Sequence, residues 1–233
     1  MAKDEKSGEI VEGAKAAQEI AKTTGMAIDA ADKLGTFIAR ITGGSLKQAF
    51  GILEDTLKYA RWKRSVRLVM RACEFLKEVG LEEATRTIPL KVAIPLLQAA
   101  SLEEDDELQD IWARLLVNAA NADSGVDLER MYISILEDFG PLEARVLQTI
   151  YDTPSDFKSE GIRTALLPDA TIDEPTDTEP TLPPEPVQLA IWNLVRLGCV
   201  TPISMWKGES IGVVEITHLG AKLIEACTLQ YHH

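Results

Sequence analysis

Between Leu108 and Ala119 the apolar residues Leu108, Ile111, Trp112, Leu115, Leu116 and Ala119 recur at the spacing of one helix face. This is the clearest core stripe in the chain. Each of its five large residues is worth about 1.5–3 kcal/mol on burial, before conformational entropy is subtracted. Ahead of it, Ser101 and Glu104 have the S-x-x-E spacing of a capping box, and the acidic run Glu103–Glu107 falls on the first turns, where the helix dipole favours negative charge. Pro89 and Pro95 predict a short or kinked helix around 89–100.

Upstream, residues 9–41 carry small or apolar side chains at Ala17, Ile20, Ala27, Ala31, Leu34, Ile38 and Ile41, a narrow seam suited to close helix packing. Two helices are expected there, with a break near Thr24–Gly25. Gly43-Gly44 stops the second, and Ser45 is placed to cap the next. A long helix follows from about Leu46 to Val79, with Gly80 as its stop. Tyr59, Trp62, Val66, Val69, Met70, Cys73 and Leu76 share one arc of it and predict its core face, opposite Lys58, Arg61, Arg64, Arg67 and Arg71. After a turn at 122–125, residues 128–139 read as a helix with Met131, Ile135 and Leu136 in the core.

From Gly140 the pattern changes. Pro141 opens a helix through Tyr151 with Leu142, Val146, Leu147 and Ile150 on one face, and a second short helix is expected at 156–167. Residues 168–186 hold six prolines and six acids with no base, which reads as a solvated insertion. A helix from Pro186 to Leu197 ends at Gly198. Val200–Ser204 and Ile211–Thr217 alternate as a hairpin, and Leu219–Thr228 closes as a helix. The fold class is therefore mainly α, a multi-helix bundle followed by a C-terminal winged-helix-like module with one β-hairpin. Three regions are expected: 1–44 N-terminal helical, 45–139 central helical core, and 140–233 winged-helix-like with its acidic insertion at 168–186.

Charge narrows the partners. The net charge is −13, but residues 1–80 hold 14 Lys/Arg against 11 Asp/Glu, whereas residues 81–233 hold 10 against 26. A polyanion is repelled by the second part and meets a favourable field only at the first. Cys73, Cys199 and Cys227 form no CxxC pair and read as buried reduced thiols of a cytoplasmic protein. The first ten residues mix both signs and lack the apolar run of a signal peptide. The longest uncharged run, Val92–Leu102, has 11 residues, against the roughly 20 a membrane span needs.

The candidate interaction surface is the basic stripe Lys58, Arg61, Lys63, Arg64, Arg67 and Arg71, six bases with no acid between Thr56 and Cys73. Such a stripe suits phosphate or anionic lipid, a protein partner, or this chain's own acidic helices, for instance Glu103–Asp106. The C-terminal region is a poor reader of DNA: residues 137–233 carry 6 bases and 15 acids, and the 186–197 helix offers only Gln188, Asn193 and Arg196 as polar contacts. Consecutive carboxylates splay around a helix, so Glu103–Asp106 with Asp110 makes no metal site. His218 reads as a capping or packing residue, His232 and His233 end the chain in the manner of a purification tag, and Trp112 and Trp192 sit on apolar faces as core residues. No GxxxxGK[ST], GxGxxG or HExxH is present, so no catalytic residue, metal or cofactor is expected.

The stretches Ala30-Ala31-Asp32-Lys33-Leu34-Gly35, Tyr59-Ala60-Arg61-Trp62-Lys63-Arg64, Ile88-Pro89-Leu90 through Leu116-Val117-Asn118-Ala119, and Ile133 to Pro141-Leu142-Glu143-Ala144 occur in one order. Over 27–151 they resemble the abortive infection alpha family of bacterial proteins. The resemblance implies a mainly helical protein tied to antiphage defence, with no catalytic residues to carry over. The expected function is a non-enzymatic component of abortive infection acting through protein partners or self-association. The alternatives are a nucleic-acid-binding regulator using the basic helix 58–71 and a peripheral membrane protein using residues 34–53.

Overall fold

Residues 29, 32–44, 58–154, 161–170, 181–203 and 210–231 are described by the structure, a computed structural model, with the side chains of Lys58, Tyr59, Ala60 and Trp62 excepted. The seam before residue 29, the Thr24–Gly25 break, the Ser45 cap, the first half of the 46–79 helix, His232 and His233 lie outside the described residues.

A helical stretch over 32–41, α1, places Leu34, Phe37, Ile38 and Ile41 in the interior. It is followed by α2 (Lys58–Glu78), α3 (Leu90–Leu102), α4 (Asp106–Ala120), α5 (Arg130–Glu137) and α6 (Pro141–Asp152). Then come β1 (Ile162–Arg163), α7 (Glu185–Arg196), β2 (Val200–Pro202), β3 (Val213–Ile216) and α8 (His218–Ala226). The protein is mainly helical with a small antiparallel sheet of order β1-β3-β2.

Glycine ends three of these helices in the same way. Gly43, Gly80 and Gly198 take positive φ of 65, 82 and 74°, and the next amide bonds back to the carbonyl five residues earlier at 2.7–2.9 Å. That pattern satisfies end carbonyls that would otherwise lack partners.

Helix α4 is the centre of the molecule. The predicted stripe is buried, Ile111 in part, and so are Gln109, Ala113, Val117, Asn118 and Ala120 on its other sides. It packs against α2, α3, α6 and α8, and one continuous apolar cluster runs from Leu34 to Leu229. Polar groups tie the last helix to this centre. Asn118 Nδ2 donates to the carbonyls of Ala226 (2.8 Å) and Thr228 (2.7 Å), and Arg114 Nε donates to that of Cys227 (3.0 Å).

In the C-terminal part, α6 packs on α7 and both touch the sheet. Val146, Leu147 and Ile150 are fully buried, as their spacing predicts. The expected helix over 156–167 is corrected within its described part. Ile162–Arg163 pair with Val213–Val214 as a third strand, and 165–169 form a turn. Two residues of strand are too few to print an alternating pattern.

Thr217 caps α8 by accepting from the Gly220 amide at 3.0 Å, so His218 is an exposed first-turn residue and neither the cap nor a packed side chain. At Gly220 itself a Cβ would collide with the Cys199 carbonyl, so only glycine lets α8 lie this close to β2. Cys199 and Cys227 are buried, and burial pushes their thiols up to about 11 and about 12; Cys73 is half-buried and also raised by burial.

Candidate interaction surface

Helix α2 packs mainly on α4 and α3, and this sets which of its sides is buried. Ser65, Leu68, Val69, Ala72, Phe75 and Leu76 face inward. Ser65 and Ala72 stand near the middle of this sector, where small side chains let two helices approach. The predicted apolar arc is therefore turned by roughly a quarter of a circle at 100° per residue. Val69 and Leu76 are core as expected, but Val66 and Cys73 are half-buried and Met70 is 51% exposed. The second neighbour pulls the buried sector toward the arginines, so they border the core instead of opposing it.

That placement brings three bases of the stripe onto the acidic start of α4. Arg64 pairs with Glu104, Arg67 with Asp106 and Arg71 with Asp110. The separations along the chain are 40, 39 and 39 residues, so α2 and α4 run parallel with their charges in step. The third pair is the best formed. Arg71 gives Nε to Asp110 Oδ1 at 2.7 Å and Nη2 to Oδ2 at 2.6 Å, a two-pronged grip that raises the guanidinium pKa further. Its Nη1 meets Glu74 at 2.6 Å, and the group lies 4.5 Å over the Phe75 ring.

The acidic run is held by its own backbone bonds. Glu103 Oε1 accepts from the amides of Glu104 (2.8 Å) and Asp105 (2.9 Å). Asp105 Oδ1 accepts from Glu107 (2.9 Å) and Leu108 (3.0 Å), which makes Asp105 the cap of α4. The predicted capping box at Ser101 and Glu104 is thereby corrected. Helix α3 runs on through Leu102, so Ser101 lies inside its last turn and donates to the Gln98 carbonyl at 2.7 Å. Buried Gln109 joins the two sides, accepting from Arg67 Nη1 at 3.1 Å and donating to the Glu103 carbonyl at 3.1 Å.

Lys63 and Arg61 do not join this ladder. Lys63 is exposed, the side chain of Lys58 lies outside the described residues, and Arg61 is half-buried with an Nε that has no hydrogen-bond partner. As an electrostatic surface, the stripe offers a polyanion less than its six positive charges promise. A phosphate backbone would have to displace three carboxylates already in place.

Elsewhere two apolar residues expected in the core lie at the surface. Met131 is 48% exposed, and Ile133 with Ile135 and Leu136 fills the α5 contact in its place. Trp112 is core at 2% exposure, but Trp192 is 40% exposed on the outer side of α7, one turn from Leu189 at 66%. Helix α7 packs mainly on α6 and β2, and its outer row is left exposed. Asn193, named as a polar contact, turns to α6 and donates to the Asp138 carbonyl (2.9 Å) and to Glu143 (3.1 Å); Arg196 pairs with Asp138 at 2.8 Å, and Gln188 donates to the Pro183 carbonyl. Leu189 and the buried tether Asn118 carry no signal that the sequence reading picks out, whereas Trp192 was expected in the core. The only trace of Asn118 was a lone polar residue in the apolar run Leu115–Ala120.

Among the described residues no group of three or more His, Cys, Asp or Glu is placed to hold a metal ion, and no helix is long and apolar enough to cross a membrane.

Residues 63–227 match a family model described as abortive infection alpha, a span that contains the α2–α4 ladder and the whole C-terminal sheet. No curated protein and no solved structure matches the chain.

Proposed function

From the premise that this chain belongs to the abortive infection alpha family, we propose that it is a component of bacterial antiphage defence that works through protein contacts, without chemistry of its own. One observation carries the choice of protein over polyanion. Arg64, Arg67 and Arg71 are neutralised within the chain, while Leu189 and Trp192 stand exposed on α7. Aromatic and aliphatic anchors on a helix face are the side chains that protein interfaces bury. The fixed salt-bridge ladder then serves to hold α2 against α4.

The test is phage plating on a host that carries the gene natively, compared with its deletion and with complementation. Deletion is expected to raise plaque numbers, wild type to restore protection, and Leu189→Asp with Trp192→Asp to fail although the protein melts at an unchanged temperature. If deletion never alters plating or survival of infected cells, the defence reading is wrong. Full protection by the double variant would reject contact through α7.

A further inference from the structure

A cleft of about 610 Å³ opens between α2, α4, α6 and α8. Its apolar wall includes Leu108, Ile111, Leu136, Phe139, Leu223 and Ile224. Arg114 lines the same cleft, half-buried. Its Nε is anchored on the Cys227 carbonyl, and its guanidinium lies 5.6 Å from the centre of the Phe75 ring. Among the described residues Arg114 has no carboxylate partner, nor has Arg61, whereas the half-buried Arg64, Arg67 and Arg86 each have one and Arg71 has two.

A half-buried charge without a counter-charge is unfavourable, and a guanidinium fork is shaped for a carboxylate. The cleft has the size of a small-molecule site. The other charges on its wall limit the ligand. Arg145 is held by Asp169 and Asp110 by Arg71, which leaves Glu78 and Glu107 to repel anything with several negative charges. We infer that this cleft binds a small amphipathic carboxylate, with the anionic head on Arg114 and the hydrocarbon body along Leu108, Ile111 and Phe139. The inference goes beyond the defence reading and does not rest on it.

Isothermal titration of the purified full chain with octanoate, octanol and octylammonium tests this. Octanoate is expected to saturate one site and to bind about tenfold or more tightly than the other two, the discrimination one well-made charged contact supplies. Arg114→Met should abolish the preference for octanoate over octanol while octanol binding persists. Ala144→Leu, which narrows the apolar wall, should weaken both ligands and leave the preference intact. Equal affinity of the wild type for octanoate and octanol overturns the proposal, as does absence of binding. So does a preference that survives Arg114→Met. Sedimentation run in parallel identifies a competing occupant: a dimer dissociated by Arg114→Met, with no octanoate uptake, assigns the cleft to a second copy of the chain and rejects the carboxylate.

Discussion

Helices α4 and α7 both carry an apolar stripe, yet ten residues of fifteen are buried in α4 and four of twelve in α7. The difference lies in their neighbours. Helix α4 is enclosed by α2, α3, α6 and α8, so even Gln109 and Asn118 are covered and must find hydrogen bonds there. Helix α7 packs on α6 and β2, and its surplus apolar residues, Leu189 and Trp192, remain outside. An amphipathic stripe tells which side of a helix packs first. It does not tell how many other sides will be covered.

The largest effect that can break this comparison is a pair of truncations. Leu115→Ala should cost about 2–5 kcal/mol in urea denaturation, because Leu115 is fully buried and leaves a cavity. Leu189→Ala should stay within about 0.5 kcal/mol. Equal losses would abolish the contrast between the two helices.

A second variant sharpens it. Asn118→Ala removes both bonds to the end of α8 and should cost about 1–3 kcal/mol, with the α8 amides exchanging faster than before. Unchanged exchange in α8 would show that the tether is dispensable.

The smallest effect compares rungs of one ladder. Asp110→Asn, which loosens a two-pronged and half-buried pair, should cost about 1–2 kcal/mol. Glu104→Gln, whose side chain is 79% exposed, should cost less than about 1 kcal/mol, and raised salt should shrink it further. A larger loss at Glu104 than at Asp110 would reverse the ranking and count against burial as its cause.

Much of the fold was legible where a signal was local. Gly80 and Gly198 stop their helices because only glycine takes the required backbone angle cheaply. The stripe from Leu108 to Ala119 is long enough for its period to be unambiguous. The misplacements share a different physics. Met70, Met131 and Trp192 are apolar residues whose burial depends on a second neighbour that no spacing within their own helix reveals. Ser101 and Asp105 are both good caps, and the choice between them turned on where α3 ends. For the candidate site, the six bases were visible as a stripe. The pairing of three of them with α4 follows from the parallel packing of two helices about 39 residues apart, a tertiary fact.

The two buried thiols carry a practical consequence. Cys199 sits where α8 crowds β2 at Gly220, and the Cys227 carbonyl is the anchor of Arg114. Each is shielded in the closed fold and holds its proton through neutral pH. The pace at which a maleimide labels either one is therefore a stopwatch on the seam beside it, native to the chain and requiring no attached dye.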